Sequence, residues 1–158
     1  MSKSNKPILT DDFKEFVLLC NQYDLKYLVI GGFAVSVHGY PRSTKDLDVC
    51  IQSTEENAKK MVEILKDFGF ASLGLTKEDF LRKGLFTQLG YEPVRIDIMN
   101  DIDGIDYEVA WANKRTINYE GAPIHFIGYN ELLQMKALAG RPQDIADIAK
   151  LKARNKGK

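Results

Sequence analysis

Tyr27-Leu28-Val29-Ile30-Gly31-Gly32-Phe33-Ala34-Val35 is followed, after a short loop, by Arg42-Ser43-Thr44-Lys45-Asp46-Leu47-Asp48-Val49-Cys50-Ile51. The run Tyr27–Ile30 is apolar and partly β-branched, so it reads as a short buried strand that stops at a glycine pair. A short helix is expected from Phe33 to His38. The Gly31-Gly32 backbone would let N–H groups approach a phosphate where that helix starts. The second strand opens on Asp46-Leu47-Asp48 and runs to Ile51. Residues i and i+2 of a strand face one side, so Asp46 and Asp48 project together while Leu47 points into the core.

Further along, Val94-Arg95-Ile96-Asp97-Ile98-Met99 alternates as a third strand, with Asp97 interrupting an apolar run. Three carboxylates on neighbouring strands repel one another and tend to keep protons unless a cation neutralises them. Hard divalent ions take oxygen ligands, and a pair of ions about 4 Å apart can share bridging carboxylates, the arrangement used in in-line phosphoryl or nucleotidyl transfer. An Asp-x-Asp alone occurs in many chains. The signal lies in the order: glycine pair, basic loop, paired acids, later acid.

Outward from this centre, Thr10-Asp11-Asp12 caps an amphipathic helix to about Tyr23, and Ser53 or Thr54 caps another, with Ala58, Met61, Val62, Leu65 and Phe68 as its apolar stripe and Gly69 as its end. Residues 71–91 read as an irregular connection with a strand around Leu85–Leu89. Asp103 is the expected cap of a helix to about Asn113, and Arg115–Tyr119 and Pro123–Phe126 form a hairpin turning at Glu120-Gly121. Two helices, about Tyr129–Ala139 and Pro142–Arg154, follow.

The chain of 158 residues is 44% hydrophobic and 28% charged, which is enough for one core, expected to be a single domain with its centre at about 10–127 and the C-terminal helices at about 128–154. Formal net charge is zero, against a generic polyanion binder. No signal peptide or membrane-length apolar run is visible, and Cys20 and Cys50 are too few for a disulfide framework, so a soluble cytoplasmic protein without a membrane partner is expected. The terminal Lys150, Lys152, Arg154, Lys156 and Lys158 read as a solvated helix end or as a contact for RNA or a partner. The glycines fit neither the dinucleotide nor the P-loop spacing, and His38 and His125 read as structural.

The segments Leu28–Val35, His38-Gly39, Arg42, Thr44 and Asp46-Leu47-Asp48-Val49 resemble the signature of the polymerase-β-like nucleotidyltransferase superfamily, and more narrowly its small bacterial abortive-infection and toxin–antitoxin members. The resemblance implies an α/β fold, a mixed sheet flanked by helices with a two-helix C-terminal extension. It also implies two magnesium ions, with manganese able to replace them, and transfer of a nucleoside monophosphate from an NTP. Asp46 and Asp48 match the paired metal ligands, Asp97 the third acid and candidate general base, and Gly31-Gly32 the phosphate-binding turn. Gly32 stands where many members of the group have serine.

Lys136 lies one turn beyond Leu132-Leu133 on an otherwise apolar face, where a cation must snorkel or meet an anion. With Arg141-Pro142-Gln143-Asp144-Ile145-Ala146-Asp147 it resembles the family's C-terminal motif, which would turn Lys136 toward the triphosphate. An internal pair with Asp144 or Asp147 is the competing reading. Nucleotide-binding candidates are therefore Gly31, Gly32, Arg42, Thr44, Lys45 and Lys136. The expected activity is magnesium-dependent nucleotidyl transfer to a hydroxyl on tRNA or other RNA, a protein or a small molecule, with a toxin of a toxin–antitoxin pair as one such case. The alternative is a non-catalytic nucleotide-binding or antitoxin-like module with a cognate protein partner.

Overall fold

The structure, a computed structural model, describes residues 9–41, 44–91, 93–102 and 104–156. Strands β1 (Tyr27–Ile30), β2 (Asp46–Ile51), β3 (Phe86–Tyr91), β4 (Val94–Asn100), β5 (Arg115–Tyr119) and β6 (Ala122–Phe126) form one mixed sheet in the order β3-β4-β2-β1-β6-β5. β1 runs antiparallel to β2 and parallel to β6, and β2 runs parallel to β4. The hairpins β3-β4 and β5-β6 close the two sides.

Seven α-helices are present among the described residues: α1 (Asp11–Gln22), α2 (Gly31–Val37), α3 (Glu55–Asp67), α4 (Lys77–Leu81), α5 (Tyr107–Ala112), α6 (Tyr129–Ala139) and α7 (Pro142–Arg154). Their starts follow from capping chemistry. Thr10 Oγ1 accepts from the Phe13 N–H, and Thr54 Oγ1 from the Asn57 N–H, so Thr54 rather than Ser53 caps α3. Buried Phe13, Phe16, Val17 and Cys20 of α1 and Ala58, Met61, Ile64 and Leu65 of α3 join Leu47, Val49, Ile96 and Ile98 of the sheet in one core. α6 stops at Gly140, whose φ of 64° is the left-handed conformation that glycine adopts without a Cβ penalty, and Pro142 then opens α7.

The structure departs from the expected elements at several places. α2 begins at Gly31 itself, with Ile30 as its N-cap, so the glycine pair is its first turn rather than a lead-in. The stretch expected to be irregular holds α4, closed by a reciprocal box between Thr76 and Asp79, a pattern short enough to be hidden by the surrounding polar residues. The β3 strand runs Phe86–Tyr91, slightly later than expected. Asp106 caps α5 by accepting from the Glu108 N–H, while Asp103 lies outside the described residues.

Candidate active site

The parallel pairing of β2 with β4 sets Asp46 beside Arg95, Leu47 beside Ile96, Asp48 beside Asp97 and Val49 beside Ile98. Strand alternation then sorts these residues by face. Leu47, Val49, Ile96 and Ile98 are buried in the core, and Asp46, Asp48, Arg95 and Asp97 form a charged square on the opposite face. β1 ends against it, with Ile30 paired to Asp48, and β3 flanks it with Gln88 beside Asp97 and Gly90 beside Arg95.

Gly31 follows Ile30 at φ 71°, and a Cβ there would overlap the Asp48 carboxylate. Only glycine lets the first turn of α2 lie against that acid. At Gly32 a Cβ would come within 2.8 Å of Thr44 Oγ1, so the Thr44 side chain fills the space that a side chain at position 32 would need. Thr44 Oγ1 also donates to the Asp46 carbonyl at 3.3 Å, which ties the loop to the start of β2.

Asp48 is pushed up to about 7, first by burial and then by the charges of Asp97 and Asp46, with a hydrogen bond to Asp97 adding to the rise and Arg95 opposing it. Asp46 Oδ1 is buried without a hydrogen-bond partner, the one such side-chain oxygen or nitrogen among the described residues. A buried carboxylate oxygen left unsatisfied is costly, and it is the donor type that a hard divalent cation takes. The carboxylates therefore suit magnesium or manganese in chemistry. Among the described residues, however, no three His, Cys, Asp or Glu side chains are grouped as a ready-made cage.

Arg95 stands among these carboxylates. Its Nε and Nη2 donate to Asp97 Oδ1 and Oδ2 at 2.9 and 3.1 Å, and Nε stands 3.9 Å from Asp46 Oδ2. A two-toothed guanidinium grip on one carboxylate is among the stronger side-chain pairings. Arg95 was not among the residues singled out from the sequence. Its signal was available, because Arg95 and Asp97 are two apart in a strand and must share a face.

Lys45 is exposed at the head of β2, and Arg42 lies outside the described residues. Lys136 is buried between α6 and α7, donating to Asp147 Oδ2 at 2.8 Å and standing 3.5 Å from Asp144 Oδ1. Arg141 grips the same Asp144 at 2.6 and 3.2 Å and holds its carboxyl below the usual carboxylate range. The internal pairing considered for Lys136 is thus present, made with both acids. His38 Nε2–H donates to the Ile127 carbonyl at 2.6 Å, and His125 Nδ1 lies 2.8 Å from Thr116 Oγ1. The basic end of α7 is docked at its base: Arg154 Nε donates to the Gly39 carbonyl at 2.6 Å and Lys150 lies over the Tyr40 ring.

The sheet order, the glycine turn at the end of β1 and the acids on β2 and β4 give the chain a polymerase-β-like nucleotidyltransferase fold. Among solved structures it is similar to TM1012 of Thermotoga maritima, a candidate nucleotidyltransferase, at 19% identity and TM-score 0.57, covering 87% of this chain and 88% of that one. The lincosamide antibiotic adenylyltransferase LnuA, solved lincomycin-bound, matches at 18% identity and TM-score 0.56, over 94% of this chain and 99% of that one. ANT(2")-Ia, solved with adenylyl-2"-tobramycin, matches at 12% identity and TM-score 0.56, over 89% and 86% of the two chains. Comparison with protein-family models and with curated proteins finds no match. No helix among the described residues is long and apolar enough to cross a membrane.

Proposed function

We propose that the protein transfers a nucleoside monophosphate from an NTP to a hydroxyl acceptor, at the charged square of β2 and β4. The single observation that carries this reading is the register that sets Asp48 beside Asp97, with Asp46 two residues back on the same face of β2, against a glycine turn that only a missing Cβ permits. Asp46, Asp48 and Asp97 would hold divalent magnesium or manganese, two ions in the full arrangement. Such ions, when bound, polarise phosphoryl oxygens and lower the pKa of the attacking hydroxyl.

The chain's own groups do the rest. The Gly31 and Gly32 N–H groups bind the phosphates, with the Thr44 hydroxyl beside Gly32 supplying a side-chain contact where position 32 has none. Arg42 and Lys45 supply positive charge to the phosphates, and Lys136 joins them by exchanging Asp147 for phosphate. Asp97, once off Arg95, accepts the acceptor's proton.

A small hydroxyl-bearing molecule is the acceptor class that the neighbours support, since LnuA was solved with lincomycin and ANT(2")-Ia with an adenylylated tobramycin. RNA or protein as acceptor, and with it a toxin role and a cognate antitoxin, is the other arm of the test. A second reading, a nucleotide-binding module without catalysis, is favoured by one observation: Arg95 already neutralises Asp97. Each NTP labelled on either the α- or the γ-phosphate is incubated with the protein, magnesium, and in turn aminoglycosides and lincosamides, total RNA and lysate protein. Transfer of α-label that Asp48→Asn abolishes supports the proposal and names the acceptor class. Transfer of γ-label overturns it, and NTP binding without transfer to any acceptor favours the second reading.

A further inference from the structure

Arg95 sits where a positive charge is needed and where a metal would also have to act. It is beside Asp46 in register, two residues from Asp97 on the same face, and bonded to both oxygens of Asp97. Asp97 is nearly buried, with 8% of its side chain exposed, whereas Arg95 keeps 30%, so the acid is fixed and the guanidinium has a way out to solvent. The neighbour of Arg95 on β3 is Gly90, which sets no side chain against it.

We propose that Arg95 is the resident counter-ion of this site, a positioning residue that competes with a divalent cation for Asp97. This rests on the metal-binding reading of the three acids. The guanidinium uses both Asp97 oxygens, and a second cation cannot be held there without displacing it or sharing the charge at a cost. In the nucleotide-free protein the pair therefore weakens divalent binding. An NTP offsets that loss twice: its phosphate oxygens add ligands for the cation, and its charge gives the released guanidinium a new two-toothed partner. Metal and nucleotide are thereby coupled through one side chain, and each raises the affinity of the other by the same factor.

The test titrates Mn2+ into the full chain without nucleotide, reading free Mn2+ by electron paramagnetic resonance, for wild type, Arg95→Gln, Arg95→Lys and Asp48→Asn. Arg95→Gln is expected to bind Mn2+ about tenfold more tightly than wild type, within the usual range of such couplings. Arg95→Lys, which keeps the charge but has a single point of contact, falls between them and serves as the readout should Arg95→Gln not fold. Adding a non-hydrolysable NTP analogue raises Mn2+ affinity in wild type and much less in Arg95→Gln. Unchanged or weaker Mn2+ binding in both Arg95 variants, with binding lost in Asp48→Asn, overturns this inference and leaves the metal site standing. Mn2+ binding that is absent throughout, or indifferent to Asp48→Asn, overturns the metal reading and the inference with it.

Discussion

Arg95 and Asp97, two residues apart on β4, are joined by two parallel N–H···O bonds of 2.9 and 3.1 Å, and Asp48 stands beside Asp97 on the adjoining strand without such a partner. Two acids expected from the sequence to behave alike therefore differ in the metal-free fold. Asp97→Asn breaks a charge-assisted pair and is expected to cost about 1–2 kcal/mol. Asp48→Asn removes a charge crowded by Asp46 and Asp97, and metal-free stability is expected to hold or rise. Urea melts in chelator measure both, and a larger loss in Asp48→Asn than in Asp97→Asn would contradict the assignment.

Lys136 gives a second contrast. It lies among acids that are almost fully buried, Asp144 and Asp147 each being 2% exposed. Lys136→Met would remove the cation that both carboxylates share, while Arg141 stays on Asp144, a loss of about 3–5 kcal/mol by analogy with other broken buried pairs. Lys136→Arg should recover most of it. Chemical denaturation gives the stability. NTP titration at a temperature where Lys136→Met stays folded gives the nucleotide role, with weakened binding expected if the lysine also serves the triphosphate.

The glycine turn predicts its own pattern. Gly31→Ala places a Cβ at φ 71° against Asp48, and the left-handed backbone alone costs about 1–2 kcal/mol. Gly32→Ala collides instead with Thr44, so its cost should shrink when combined with Thr44→Gly. A double-mutant cycle by thermal melting reads that coupling, and additive effects would show that the two positions do not share the space.

His38 sets a pH dependence away from the acids. Burial holds its pKa below the ordinary value, and Arg115 adds to the fall, against the Ile127 carbonyl and Glu131, which pull the other way. The unfolded chain protonates first as pH drops through about 6.5, so it binds more protons than the fold and stability declines below that point. His125 is lowered in the same sense. Asp48, raised to about 7, works the other way in this window, gaining stability as pH falls, so the histidine effect is read in the Asp48→Asn background: there unfolding free energy should fall from pH 7.5 to 5.5, and adding His38→Gln should flatten the slope.

Much of this was legible in the sequence because it rests on period-two alternation and caps. Asp46, Leu47 and Asp48 announce their faces, as do Arg115–Tyr119 and Pro123–Phe126 as a hairpin, and the two final helices are bounded as read. What escaped depends on pairing between distant segments. Nothing local says that Arg95 will stand beside Asp46, or that Thr44 will occupy the space over Gly32; both follow from the β2–β4 register and the return of the loop. The short α4 escaped because five residues carry too little periodicity to stand out from a polar stretch.

The central claim is that acids, glycine turn and nucleotide form one metal-dependent site, and the melting temperature of the full chain tests it most directly. With each of the four NTPs, magnesium and NTP together should raise it more than the sum of their separate effects, because each completes the other's contacts, and Asp48→Asn should lose the excess. An NTP that stabilises the protein equally in chelator and in magnesium would contradict it.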